Sequence, residues 1–173
     1  MNIQVINADK NQHTLQIREL FCEYLQWANE RVQNEFNVSF DIATMLEDDM
    51  RSLDKFMPPQ GRLLLGYNGE DLAGIACLKI LKTGIGEVKR IYVRPSHRKA
   101  GLGRTLLNKL LQEAQQIGYH SIKLDSAQFM KEAHQLYRSM GFQEITAYEG
   151  SEIPKEFQAH WIFMELTLKS SSS

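Results

Sequence analysis

Residues 97–104 read HRKAGLGR, a stretch whose side chains and spacing suit the handling of phosphate. Arg98 and Lys99 precede two glycines, Gly101 and Gly103, set one residue apart, and Arg104 follows them. A leucine-rich run comes next, so the stretch leads into a helix N-terminus. The first amides of a helix have no partner inside it, and the helix dipole places partial positive charge at the same end. Glycines carry no Cβ, which lets amides curl closely around a phosphate and adopt unusual backbone angles. Arg98, Lys99 and Arg104 would each add a charge-assisted bond of about 1.5–3 kcal/mol. Local chemistry leaves the plain alternative open, a glycine turn with solvated basic side chains. Two other phosphate loops do not fit. A P-loop ends in Gly-Lys-Ser/Thr, whereas this loop ends in Gly103-Arg104-Thr105. A dinucleotide fingerprint needs a third small residue where Leu106 stands, and it follows the first strand of a repeated βαβ fold.

A loop of this kind needs a strand in front of it and a helix behind it. EVKRIYV (87–93) is strand-like, and Leu102, Leu106, Leu110, Ala114 and Ile117 form one helical face that Gly118 ends. SIKLD (121–125) is strand-like again, and Met130, Ala133, Leu136, Tyr137 and Met140 mark a helix that stops at Gly141. Strand, loop, helix and strand make a βαβ unit, so 87–93 and 121–125 are expected to run parallel with a right-handed crossover. Upstream, NIQVIN (2–7) alternates as a half-buried strand does. Two helical faces follow, Ile17, Leu20, Phe21, Tyr24 and Ala28, then Ile42, Leu46, Met50 and Leu53. After a break at Pro58-Pro59-Gln60-Gly61, RLLLGY (62–67) and DLAGIACLKIL (71–81) form a hairpin through Asn68-Gly69, both tolerant of positive φ. Thr83-Gly84-Ile85-Gly86 turns the chain into 87–93, and FQEIT (142–146) and HWIFMELTL (160–168) add two strands. The expected fold class is α/β with a mixed sheet, an antiparallel front half joined to one parallel pair and flanked by helices.

Composition narrows the partners. The 173 residues are 43% hydrophobic and 24% charged, which suits one compact domain, expected over 1–169 with a disordered tail at 170–173. Twenty basic and 21 acidic side chains leave a net charge of −1, which speaks against a broad nucleic-acid surface. Cys22 and Cys77 stand far apart without metal-ligand spacing, so no metal and no disulfide framework is expected, and Cys77 lies in an apolar run as a core residue. MNIQVINADK lacks the apolar core of a signal peptide, and no run approaches the roughly 18 apolar residues of a membrane helix. The expectation is a cytoplasmic protein without a membrane partner.

EVKRIYVRPSHRKAGLGRTLL resembles motif A of the GCN5-related N-acetyltransferase (GNAT) family, whose signature Arg/Gln-x-x-Gly-x-Gly/Ala is met by Arg98-Lys99-Ala100-Gly101-Leu102-Gly103. KEAHQLYRSMGF (131–142) resembles the family's next motif, an Ala-x-x-x-Tyr helix ending in Gly-Phe. The strand order matches as well, so the resemblance covers 2–168. It implies a GNAT-like acyl-CoA N-acyltransferase fold with a splayed central parallel pair, and acetyl-CoA as co-substrate. It further implies that pantetheine pairs with the backbone of Ile91, Tyr92 and Val93. The pyrophosphate would rest on the amides of Arg98, Lys99, Ala100, Gly101, Leu102, Gly103 and Arg104.

Acetyl transfer to an amine needs a neutral amine, a donor for the developing oxyanion and a proton for the departing thiolate. The resemblance supplies a backbone N–H near Tyr92 or Val93 for the oxyanion, and it places the Tyr137 hydroxyl near the CoA sulfur. A phenol with a pKa of about 10 stays protonated at neutral pH, so Tyr137 is the expected general acid. Glu87 opens the strand expected to line the cleft and is the expected general base, directly or through water. His97 is expected as a solvated loop residue, His134 on the helix surface, and Asp125 as a cap for the loop that follows it. Where many relatives carry Asn, this chain has Ala127. The two N-terminal helices and the loop from 147 to 160 are expected to build the acceptor side. Trp27, Arg31, Phe36 and Phe40 are candidates there, together with Tyr148, Glu149 and Trp161. The implied activity is N-acetyl transfer to a small-molecule or peptide amine in a ternary complex. A non-catalytic acyl-CoA-binding or sensing module and a nucleotide-binding protein are the rival readings. A homodimer through the C-terminal strands fits the pattern.

Overall fold

The computed structural model describes residues 2–169. A seven-stranded mixed sheet runs in the order β1 (Ile3–Asn7), β2 (Arg62–Asn68), β3 (Asp71–Lys82), β4 (Ile85–Val93), β5 (Ser121–Ala127), β7 (Trp161–Thr167), β6 (Gln143–Ile145). Among the described residues only β4 and β5 pair in parallel, joined by α3 (Leu102–Ile117) as the βαβ pattern requires. The tight turn at Thr83-Gly84 is shorter than expected, and Ile85 and Gly86 already belong to β4. The expected helical faces belong to α1 (Thr14–Phe36), α2 (Ile42–Arg51), α3 and α4 (Lys131–Ser139), except that Leu53 lies in a 3-10 turn after α2 and Met130 and Met140 flank α4. The last strand begins one residue later than expected, because Lys155–His160 close into a 3-10 turn. The expected tail at 170–173 lies outside the described residues.

The sheet divides the core in two. On one face Leu102, Leu106, Leu107 and Leu110 of α3 meet Leu64, Ala76 and Leu78, with Tyr137 and Phe142 alongside. On the other, Ile17, Leu20, Phe21 and Leu25 of α1 pack with Leu46, Phe56 and Ile75. Each fully buried leucine of α3 contributes about 1.5–3 kcal/mol, which anchors the helix whose N-terminus carries the basic loop. Gly74 permits that close approach, since a Cβ there would lie 2.8 Å from the Tyr92 carbonyl oxygen and 3.2 Å from Leu106. Arg94, just past β4, fixes α1 over the strand end. Its Nε donates to Glu23 at 3.0 Å and its Nη1 to the Leu72 carbonyl at 2.8 Å. Cys77 is fully buried, and burial pushes its thiol up, as befits a core residue.

Candidate active site

The parallel pair separates early. β4 and β5 are in register only at Ile85–Ser121, Gly86–Ile122 and Glu87–Lys123, after which β4 stays with β3 and β5 with β7. A bulge accompanies the parting. Ile75 faces Tyr92 and Cys77 faces Lys89, so Ala76 alone opposes Arg90 and Ile91. Arg90 takes up the extra residue at φ 53°, a left-handed conformation costing a non-glycine residue about 1–2 kcal/mol. Charge-assisted bonds offset that cost. The guanidinium donates to Asp49 at 2.8 and 3.1 Å and to Glu152 at 2.7 and 3.2 Å. The same kink breaks the two-residue alternation of the strand, so Lys89 reaches Glu152 as well, at 2.8 Å. Burial opposes ionisation of Glu152, but Lys89 and Arg90 outweigh it and hold the carboxyl well below the usual carboxylate range.

Beside the gap, the chain leaves β4 through a short 3-10 turn at Pro95–His97, and α3 starts at Leu102. Lys99 has φ 65° and Gly101 has φ 86°, and no side chain caps the helix. Its first amides therefore remain available to a ligand. Gap and helix mouth open into one cavity of about 640 Å³. All the residues expected to hold the carrier border it except Ala100. Arg98 turns inward. Its Nε donates to the Val93 carbonyl at 2.9 Å, and its guanidinium lies 4.9 Å from the Trp27 ring and 5.7 Å from that of Tyr92. Arg104 bonds Ser139 Oγ at 2.8 Å. His97, expected as solvated, is half-buried on the cavity wall, 3.5 Å from Asn68.

Tyr137 of α4 lines the cavity, 3% exposed, with its ring 5.8 Å from Phe142. Burial, then the neighbouring Tyr24 and Asp125, push its phenol up, so it stays protonated. Among the described residues no buried side-chain donor or acceptor lacks a partner, and the Tyr137 hydroxyl makes no hydrogen bond with any of them. The hydroxyl is thus reachable from the cavity it borders.

Glu87 is placed differently from the expectation. It sits inside the paired part of β4, before the gap, and is 1% exposed. The Tyr148 hydroxyl donates to it at 2.6 Å and Lys79 lies 3.6 Å away, so its carboxylate is enclosed and does not line the cavity. Three carboxylates do; Glu132 and Glu152 are the more exposed, and the enclosed one is Asp125. It caps no loop. Its Oδ2 accepts from Ser151 at 3.0 Å and lies 3.6 Å from Lys89, while Oδ1 has no partner among the described residues. Its position at the C-terminal end of a parallel strand was the available signal, since ligands bind there in open α/β sheets. His134 is 2% exposed rather than on the surface, bonded to Ser126 Oγ at 2.9 Å, because α4 is short and lies on the end of β5. Of the expected acceptor residues, Trp27 and Arg31 line the cavity, joined by Tyr24 and Phe129. Phe36 stacks on His160 at 4.1 Å and Phe40 packs against Phe157, while Tyr148 is tied to Glu87 and Glu149 is exposed. Among the described residues no three His, Cys, Asp or Glu side chains converge to hold a metal, and no helix is long and apolar enough to cross a membrane.

A mixed sheet split at its one parallel pair, with an uncapped helix mouth beside the split, defines an acyltransferase-type architecture. The sequence profile of the acetyltransferase (GNAT) family matches residues 16–142, and the chain belongs to that family. An uncharacterised N-acetyltransferase of Schizosaccharomyces pombe is 29% identical over 155 residues, covering 88% of this chain and 90% of its own. The fold matches the PaiA N-acetyltransferase of Thermoplasma acidophilum, solved in complex with coenzyme A, with a TM-score of 0.73 at 16% identity, over 97% of this chain and 100% of that one. It also matches YncA of Salmonella typhimurium, solved with its cofactor acetyl-CoA, with a TM-score of 0.67 at 20% identity, over 100% and 98% of the two chains.

Proposed function

We propose that the chain moves the acetyl group of acetyl-CoA to a primary amine of a small molecule or peptide, the amine attacking directly while both substrates are bound. The observation that carries this reading is the single cavity joining the β4–β5 gap to the uncapped N-terminus of α3. Coenzyme A and acetyl-CoA in the structures of similar fold support it.

In this reading the amides of Lys99 and of 101–104, with the Lys99 and Arg104 side chains, hold the pyrophosphate; the Arg98 amide is bonded to the Pro95 carbonyl and Ala100 does not border the cavity. The exposed backbone of Ile91, Tyr92 and Val93 takes the pantetheine arm along the gap, with Arg98 beside it. Acetyl-CoA supplies the thioester. A main-chain N–H at Tyr92 or Val93 stabilises the charge that develops on its carbonyl oxygen. Tyr137 donates a proton to the leaving sulfur, and its buried phenol is in the right form to do so throughout the neutral range. Asp125, rather than the enclosed Glu87, receives the amine proton at Oδ1, directly or through one water.

Calorimetry with acetyl-CoA, followed by free-thiol release across a panel of amines, tests the reading. Heat of binding and thiol release with at least one amine class are expected. No heat with acetyl-CoA refutes it, and heat without thiol release leaves a binding module. Asp125→Asn should lower kcat by about 10²-fold, the low end for acid–base catalysis. Glu87→Gln should keep the wild-type pH–rate profile; an altered profile for Glu87→Gln alone would return the base role to Glu87.

A further inference from the structure

The charged groups around the β4 bulge are matched with one another. Lys89 and Arg90 face Glu152, Arg90 and Lys55 face Asp49, and Lys89 faces Asp125. Three cations thus meet three carboxylates. Arg31 stands outside this set. It borders the cavity with 42% of its own side chain in solvent, and its nearest carboxylate is Glu35, 3.8 Å away and 48% exposed. Among the described residues Arg31 makes no hydrogen bond.

The side chain is nevertheless held. Its guanidinium lies 4.6 Å over the Phe129 ring, and Phe129 is backed by Phe36, which stacks on His160. An aromatic face fixes the plane of a guanidinium and leaves its in-plane donors free. Tyr24, Trp27 and Arg31 fall at i, i+3 and i+7 on α1, one stripe along the cavity wall. Trp27 and Tyr24 stand at 5.9 and 6.0 Å from Tyr92, so the stripe leads outward from the strand backbone toward Arg31. A planar, stacked fork with open donors matches a carboxylate, which it binds in bidentate fashion.

Given acetyl transfer as above, we propose that the acceptor is an amine bearing a carboxylate, and that Arg31 binds that carboxylate. Arg31 is then a specificity residue, and the acceptor class is amino acids and peptides with a free carboxylate.

The test is thiol release across the amine panel with matched sets, β-alanine, β-alanine amide and 1,3-diaminopropane, and glycylalanine with its amide. Acids should exceed their amides in kcat/KM by about tenfold, in line with one charge-assisted pair. Arg31→Gln should bring the acid-to-amide ratio near one, with the loss in KM for the acid, and Arg31→Lys should keep part of the ratio. If amines are acetylated but acids rank no higher than amides, or a phosphorylated amine outranks them, the inference falls while acetyl transfer stands. It falls equally if Arg31→Gln weakens acid and amide alike. No thiol release with any amine refutes acetyl transfer itself.

Discussion

Replacing Tyr137 with Phe removes one hydroxyl and leaves the packed ring in place. Among the described residues that hydroxyl makes no hydrogen bond, and the ring is 3% exposed against Phe142. The substitution therefore leaves no partner unsatisfied, and stability should change by less than about 0.5 kcal/mol. Turnover should behave otherwise. Without the phenol the thiolate must leave unprotonated or take its proton from water. The loss should reach about 10²-fold or more, about 2.7 kcal/mol in the barrier. Burial raises the phenol above its ordinary value of 10.0, so its acid form persists as pH rises through the neutral and mildly alkaline range. The deficit should accordingly be constant over that range. The measurement is initial thiol release at saturating acetyl-CoA and amine, with acetyl-CoA affinity followed by calorimetry. Turnover within about threefold of wild type would refute the acid role, because even the weakest general acids contribute more. A tenfold loss of acetyl-CoA affinity would show instead that the hydroxyl serves binding.

Gly101→Ala should strain the loop at φ 86° by about 1–2 kcal/mol and weaken acetyl-CoA binding about tenfold by calorimetry. A Cβ there meets no atom within 4 Å, so the loss is one of backbone conformation. Arg90→Ala strands Asp49, 4% exposed, without its main partner and should lower stability by about 3–5 kcal/mol in urea melts. Glu152 contributes stability through a lowered pKa, so the contribution is present above its ordinary value of 4.5 and is lost as pH falls through the lower folded value. With 41% of its side chain exposed the effect is screened, yet the gap in urea midpoint between wild type and Glu152→Gln should close in acid.

The features encoded within a few neighbouring residues were legible without coordinates. The helix after Gly101, the hairpin at Asn68-Gly69, the parallel pair and the basic glycine loop follow from local periodicity and backbone freedom, and the structure forms them close to the expected bounds. Which side chains face the cavity was not legible in the same way. Glu87 opens the strand expected to line the cleft, but it lies in the paired part of β4 and Tyr148, 61 residues further on, encloses the carboxylate. Asp125 and Glu152 gain their places from Lys89, Ser151 and Arg90, and Arg90 is held by Asp49 from 41 positions away. His134 turned inward for the same kind of reason, through Ser126 at the end of β5. A turn or a helix mouth is decided by torsions and amides that adjacent residues control. The aim of a charged side chain is decided by the counter-charges that only the assembled sheet brings within reach.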